Sequence, residues 1–332
     1  MRRNWAIGLA LAVALVALQA LLVPLFAWPA SHIAPRHLPI AVAGPPEAAG
    51  GVAGQLRAQR PGAFDVTVVA DESAADAAIR DRSVYGAIVL GPAGPQLHVA
   101  SAASPVVATL LTQAAAGMGQ GGQPVPVRDV VPTDRHDPRG AALAAGFLPL
   151  AVTAMVAGAL IFLAVRRRIA RFGTLIVFGA LAGLVGAAVQ QRWLHILPGD
   201  YLRVAGVLGL VSLAVAATVA GLGALLGRPG AGLGALVVFL VGNALSGVAA
   251  APELLPRPWG AVGQDLPIGA GATLLRWVAY FDGHGGRPAL LVLGAYAVGG
   301  LVLVLAGGAR TRKRTADAEP LPAGSRQPAL AG

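Results

Sequence analysis

The sequence predicts an α-helical polytopic membrane protein with six transmembrane helices and a small α/β extracytoplasmic domain between the first and second of them. Three observations predict this class. The 332 residues are 56% hydrophobic and only 12% charged, whereas soluble domains carry about 25% charged residues. Several uncharged runs are long enough to cross a bilayer, which needs roughly 20 apolar residues. One charged stretch rich in Pro and Gly, residues 29–140, interrupts these runs.

Basic residues at one end of the run 141–165 predict the orientation of the chain. Arg166, Arg167, Arg168 and Arg171 follow this uncharged run directly. Because short loops rich in Lys and Arg stay cytoplasmic, this end is predicted to lie inside. With both termini also inside, the inner segments carry twelve basic and two acidic residues, and the outer segments carry thirteen of each. The whole net charge of +10 is then cytoplasmic, so it does not require a nucleic-acid partner.

Residues 1–28 predict the first transmembrane helix, with its N-terminus inside. The apolar run lies between Trp5 and Trp28, and Gln19 and Pro24 are its only interruptions. Aromatic residues of this kind are typical of the two membrane interfaces. A cleaved signal peptide is the alternative, but it has a shorter apolar core and a small-residue cleavage site. We therefore expect an uncleaved span.

Residues 29–140 predict a small α/β domain, because short β-rich runs alternate with helical patterns. The predicted strands are 38–44, 64–70, 85–91 and 96–102, and the predicted helices are 48–59, 73–82 and 105–117. Ser73 and Asp76 form a plausible capping box for the second helix. Ser104 is placed to cap the third, with Pro105 at its first position. Residues 118–140 are predicted to be a linker or an edge strand.

Five further spans are predicted in the region 141–309, followed by a basic cytoplasmic tail, 310–332, that is expected to be disordered. The spans are 141–165, 172–189, 204–226, 231–251 and 289–309. None of the six spans has an ionisable residue in its middle. Such residues usually mark proton or ion coupling, so their absence disfavours a proton-driven transporter.

The segment 252–288 is too hydrophobic for a free loop and too broken by Pro and Gly to span. It is predicted to be re-entrant or interfacial, with a helix over 267–281 that turns its apolar residues toward lipid or protein. Those apolar residues are Leu274, Leu275, Trp277, Val278 and Phe281. The candidate residues for an outer gate or interfacial segment are Pro252, Glu253, Trp259, Gln264, Asp265, Arg276 and Tyr280.

Catalytic, cofactor and metal sites are not predicted, so the chain is not expected to be an enzyme. It has no cysteine, and its one lysine, Lys313, does not follow a glycine loop, so a P-loop for ATP is excluded. Histidines and acids cluster loosely in the loops, without a metal-ligand spacing. We expect solvated loop positions for His32, His37, Asp134, His136 and Asp137.

The order of elements resembles that of the membrane subunits of ABC-2 type exporters, particularly the YhgE/Pip-like branch. The similarity is carried by LPIAVAG (38–44), AADAAIRDRSVYGAIVL (74–90), and the segments 252–270 and 274–283. The resemblance implies export driven by a separate cytoplasmic ATP-binding cassette ATPase, with the permease a homo- or heterodimer in the cell membrane. It also implies that the loop 166–171 contacts the ATPase. It implies no substrate.

A competing hypothesis is a non-transporting membrane scaffold or sensor whose extracytoplasmic domain binds a ligand or partner. Six spans and an embedded outer segment are more than an anchor requires, which favours transport. In either case the lipid bilayer is the principal environment of the chain.

Overall fold

A computed structural model describes residues 2–117, 124–283 and 285–316. It is mostly helical (68%) and includes a small mixed sheet. Six helices are long enough and apolar enough to cross a membrane, which confirms this part of the predicted fold class. They are Asn4–Ser31, Ala141–Ala164, Arg168–Trp193, Tyr201–Leu226, Arg228–Leu245 and Arg287–Gly307.

The elements up to the second span alternate helices with strands, as the sequence predicts. They are α1 (Arg2–Ser31), β1 (Leu38–Ala43), α2 (Pro46–Gln59), β2 (Phe64–Val69), α3 (Glu72–Arg80), β3 (Gly86–Gly91), β4 (Gly94–Val99), α4 (Pro105–Ala116) and β5 (Val127–Asp129). The remaining helices are α5 (Ala141–Ala164), α6 (Arg168–Ala187), α7 (Tyr201–Leu226), α8 (Arg228–Gly234), α9 (Gly242–Leu245), α10 (Trp259–Gln264), α11 (Pro267–Tyr280) and α12 (Arg287–Ala316).

The sheet of the α/β domain has the strand order β2-β1-β3-β4-β5. Strand β1 pairs in parallel with β2 and β3, β3 and β4 form an antiparallel hairpin, and β5 pairs in parallel with β4. Strand β1 is buried along nearly its whole length, as expected for a parallel strand with both faces covered. Strand β5 lies at the edge of the sheet, which confirms the edge-strand alternative for part of 118–140. Residues 118–123 lie outside the described part.

One predicted helix cap is wrong and one is confirmed. Asp71, not Ser73, caps α3, because its carboxylate accepts a hydrogen bond from the Ala74 N–H at 2.9 Å. Asp76 turns instead toward the sheet. Ser104 caps α4 as predicted and accepts from the Val107 N–H.

Helix α7 lies at the centre of the helix bundle. In its most apolar stretch, 83% of the residues are buried inside the protein. The backbones of α5, α6 and α12 lie close to the backbone of α7 at glycine positions. A Cβ at Gly158 or Gly300 would lie 2.5 Å or 2.4 Å from the α7 backbone. By contrast, the most apolar stretch of α1 has no residue that other described parts of the chain bury. Backbone-to-backbone packing through small residues is typical of membrane helices.

Two spans contain wider π-helical turns that the sequence does not predict. One extends α6 over Ala188–Trp193, and the other, Ala235–Val241, joins α8 to α9. The second of these spans ends at Leu245, earlier than the predicted 251. Helix α12 continues to Ala316, so the start of the predicted disordered tail is helical. Residues 317–332 lie outside the described part.

The segment 252–288 folds into a 3₁₀ turn at Pro252–Leu254, the short helix α10, and α11. Helix α11 packs into the bundle against α7 and α12. Its five apolar residues expected to face lipid or protein are packed against protein. This segment therefore forms a floor beneath the α/β domain, whose core continues into Ala250, Leu254 and Phe281.

Candidate functional site

A cavity of about 800 Å³ lies where the α/β domain, the segment 252–288 and the first turns of α12 meet. This volume is in the range of about 300–1,000 Å³ that is usual for ligand pockets. Segments far apart in the sequence form its walls. We call the space the interdomain cavity.

The α/β domain contributes Arg36, His37, Arg82 and Tyr85 to the cavity wall. The Arg36 guanidinium is fixed by backbone carbonyls, with Nη1 donating to Leu254 O at 2.7 Å and Nη2 donating to His32 O at 2.8 Å. These bonds tie the linker after α1 to the floor of the cavity.

Tyr85 and Glu253 form a second tie between the domain and the floor. The Tyr85 hydroxyl donates to the Glu253 carboxylate at 2.8 Å. Burial, and then the negative charge of Glu253, raise the pKa of the Tyr85 phenol above its ordinary value. The phenol therefore stays neutral and keeps donating to this carboxylate across the physiological pH range.

Polar groups of the segment 252–288 are held by local hydrogen bonds. The Gln264 side chain donates to Ser246 O at 3.1 Å and accepts from the Thr273 hydroxyl at 2.6 Å. This pair joins α10 to α11 and to the end of α9. Asp265, which follows α10, also lines the cavity.

Two arginines lie close together where the floor meets the domain. Arg82 places its guanidinium over the Trp277 ring, 5.3 Å from the centroid, and 5.8 Å from that of Phe281. Arg276 is only 4% exposed and donates through Nη2 to Val248 O at 2.5 Å. Burial, and then the positive charge of Arg82, lower the pKa of Arg276 to about 10. The Arg276 guanidinium remains charged at neutral pH.

The predicted outer segment residues therefore divide into two groups. Pro252, Glu253, Gln264 and Asp265 line the cavity. Trp259, Arg276 and Tyr280 are not among the lining residues. Arg276 and Tyr280 lie beside the cavity in α11, and Trp259, at the start of α10, is 38% exposed.

Sequence reasoning missed the domain side of the cavity, namely Arg36, Arg82 and Tyr85. These residues belong to an arrangement that no local pattern shows, because their partners are some 170 to 220 positions away in the chain. The sequence gives one indication of this side of the cavity, because Tyr85 belongs to the segment 74–90 that carries the family resemblance.

A separate polar cluster lies in the α/β domain, where ligand atoms of Glu72, Asp76 and His98 are within 4.8 Å of one another. The fully buried His98 pairs through Nδ1 with Asp76 at 2.7 Å. Arg128 lies 2.7 Å from Glu72, and Arg80 lies 3.6 Å from Asp76. Since two guanidiniums already balance the two carboxylates, we interpret the cluster as an ionic network that ties α3 to β4 and β5.

The loop histidines and acids considered above do not converge on one point among the described residues. His37 pairs with Asp65 at 2.9 Å, and His136 pairs with Asp134 at 3.0 Å. The expectation that Asp137 is solvated is wrong. It is buried, and its carboxylate accepts from the first two N–H groups of α5, which favours helix initiation.

The predicted ATPase-contact loop lies between α5 and α6, at the opposite end of the bundle from the cavity. Arg166, Arg167 and Arg168 are exposed. Arg168 donates to Leu305 O near the far end of α12. Arg171 turns back onto α5, where its Nη2 donates to a carbonyl in the last turn at 2.9 Å. The structure thus separates three exposed arginines from one that caps a helix.

No family model, curated protein or solved structure matches the chain. The interdomain cavity is therefore interpreted from its own geometry.

Proposed function

We propose that this chain is the membrane-spanning permease subunit of an ABC-2 type exporter, powered by a separate ATPase subunit. The interdomain cavity is the observation that carries this proposal. A membrane anchor needs neither a short helix packed into the bundle nor a cavity bounded by both a domain and the last span. An exporter needs a compartment of this kind, in which substrate is held near one membrane face.

The sequence supports an external energy source. It has no P-loop, and the spans carry no ionisable residue in their middle that would couple export to protons. The proposal therefore requires a partner protein that binds and hydrolyses ATP as the energy source for export. In this proposal both termini and the loop 166–171 are cytoplasmic, and the cavity faces outward.

The loop between α5 and α6 is proposed as the ATPase contact. Arg166 and Arg167 are exposed there, whereas Arg171 joins the end of α5 to the start of α6 through Val165 O and Phe162 O. A force on this loop would therefore move both helices together. Both pack against α7, which also contacts α11 and α12, so the movement would reach the floor of the cavity.

A second permease subunit is part of the proposal. Most of the apolar surface of α1 is not covered by the other described residues. In a dimer, the other subunit and surrounding lipid would cover it.

The test uses the purified full-length chain and the ATPase subunit with which it is co-expressed. The chain alone should show no ATP hydrolysis above background, and adding the ATPase should form a complex with stimulated hydrolysis. The double variant Arg166→Lys, Arg167→Lys keeps the charge, so insertion should be normal. It should weaken coupling, because lysine lacks the planar bidentate fork of arginine.

The matched control is Arg228→Lys, at the turn between α7 and α8, where the same chemical change is made outside the proposed contact. If the loop double variant and the control both couple like the wild type, Arg166 and Arg167 only set orientation. If no ATPase binds or is stimulated at all, the exporter proposal is wrong and a scaffold or sensor role becomes the better explanation.

A further inference from the structure

Two guanidiniums in or beside the interdomain cavity, that of the partly buried Arg82 and that of the buried Arg276, lack an anionic partner in the described part of the chain. Arg82 Nη1 is buried and has no hydrogen-bond acceptor. Arg276 is almost fully buried, with a carbonyl as its one recorded acceptor. No described carboxylate lies within 4.0 Å of either guanidinium. Burying charge is costly unless it is paired, and here two like charges lie near each other.

The acidic groups of the cavity do not supply the missing partner. Glu253 is engaged by the Tyr85 hydroxyl. Asp265 lines the cavity but forms no ion pair within the described residues. The site is therefore a cationic corner of the cavity, where neither guanidinium forms an ion pair with the cavity's described carboxylates.

Backbone geometry points to the same corner. Arg82 has φ +49° and His37 has φ +54°, and both line the cavity. Residues other than glycine seldom adopt this region. At residue 82 it is the left-handed turn that commonly ends a helix, and the Ser83 N–H donates to Ala78 O across it. This turn places the Arg82 side chain beside Trp277.

We propose that Arg82, with Arg276 behind it, binds the anionic headgroup of an amphiphilic molecule through a phosphate or carboxylate. The inference rests on the proposed export function and names its substrate class. An arginine stacked on an indole keeps its charge and its donor fork while its flat face is covered by an apolar ring. Its nitrogens other than the buried Nη1 can then donate to an oxyanion in the cavity.

The rest of the cavity suits the apolar part of an amphiphile. Leu255, Ala289 and Val292 line it together with the Trp277 ring. Ala289 and Val292 belong to the first turns of α12, a span, so an acyl chain could pass from the cavity along this helix toward lipid. The amino end of α12 also carries a partial positive charge, which favours an anion on that side.

Lipid binding to the purified full-length protein in detergent tests the proposal. The probes are short-chain phosphatidylglycerol, phosphatidylcholine with the same chains, and inorganic phosphate. Binding is read by native mass spectrometry and by the rise in thermal midpoint. We expect phosphatidylglycerol to bind in preference to phosphatidylcholine. Arg82→Gln should weaken phosphatidylglycerol binding roughly 10- to 100-fold, as expected for loss of charge-assisted hydrogen bonds.

Two further variants keep the result interpretable. Arg82→Lys preserves charge and should fold normally, yet lose part of the affinity because it cannot form the stacked fork. Arg135→Gln removes the same charge from an exposed position of the domain and should leave binding unchanged. If inorganic phosphate competes fully with phosphatidylglycerol, the anionic group alone is recognised, and the site stands without its acyl specificity.

Equal binding of the two lipids, or equal affinity of Arg82→Gln and Arg135→Gln, would overturn the inference. The outcome is separable from that of the exporter proposal, because lipid binding needs no ATPase. A chain that binds phosphatidylglycerol but never stimulates an ATPase removes the exporter proposal alone. A chain that couples to an ATPase without binding an anionic lipid removes this inference alone.

Discussion

Substitution of Gly183 by alanine tests how closely α6 packs on α7. A Cβ at this position would lie 2.2 Å from the Ala205 carbonyl oxygen and 2.8 Å from the Gly209 backbone. Ordinary contact begins near 3.4 Å, so the helices would have to separate locally by about 1.2 Å. A gap of about 0.5–1 Å already removes a quarter to a half of the dispersion energy between contacting atoms. Overpacking of this kind costs about 1–3 kcal/mol of stability.

Gly173→Ala on the same helix is the matched control. No atom lies within 4 Å of a Cβ built there. Both substitutions gain the same helix propensity, about 1 kcal/mol relative to glycine. The difference between the two variants therefore isolates the packing cost. We expect Gly183→Ala to be less stable than Gly173→Ala by about 1–3 kcal/mol, with roughly 2–4 °C of thermal midpoint per kcal/mol.

The assay is thermal unfolding of the purified chain in one detergent, followed by intrinsic tryptophan fluorescence and by the soluble fraction after heating. Gly173→Ala should match or exceed the wild type. If Gly183→Ala unfolds at the same temperature as Gly173→Ala, α6 does not approach α7 through this glycine, and the central position of α7 would have to be revised.

Three further predictions concern orientation, the ionic network and alkaline pH. The chain has no native cysteine, so single cysteines can be labelled selectively. Ala58→Cys should react with a membrane-impermeant maleimide in intact cells, whereas Ala170→Cys should react only after permeabilisation. The reverse pattern would show that the topology is inverted. Asp76→Ala should lower the free energy of unfolding by about 1–3 kcal/mol, measured by denaturant titration, because buried His98 loses its partner. Burial, and then nearby carboxylates, raise the pKa of Tyr280 to about 12. The neutral phenol therefore stabilises the folded protein fully below about pH 10, and this stabilisation declines as pH rises toward 12. Over this pH range the thermal midpoint of Tyr280→Phe should fall less steeply than that of the wild type.

The spans and the domain could be predicted because their signals are local. An apolar run identifies a helix such as α5, and alternation with turn residues identifies a strand such as β1. The cap of α3 is not predicted correctly for a physical reason: Asp71 and Ser73 both suit a cap, and Asp76, the second residue of the predicted capping box, pairs with buried His98 instead. The π-helical turns left no local signature in the sequence.

The cavity could not be predicted because its walls come from distant segments. The tie between Arg36 and Leu254 spans 218 positions, and that between Tyr85 and Glu253 spans 168. The sequence indicated that the segment 252–288 is embedded, since its composition suits neither a loop nor a span. The sequence did not indicate that the α/β domain lies over this segment, because Arg82 looks like an ordinary surface residue at the end of an amphipathic helix.

The net charge of the outer segments does not reveal the cationic corner. The predicted outer segments carry equal numbers of acidic and basic residues, which suggests that no ligand charge is needed there. The structure distributes those charges unevenly. Arg80 and Arg128 take up the carboxylates near α3, while in the described residues Arg82 and Arg276 have none within reach. Neutrality over a whole segment therefore does not imply neutrality at a buried site, where charges beyond a few ångströms compensate poorly for lost hydration. An anion supplied from outside the chain would resolve that imbalance, and the lipid-binding experiment tests whether one binds there.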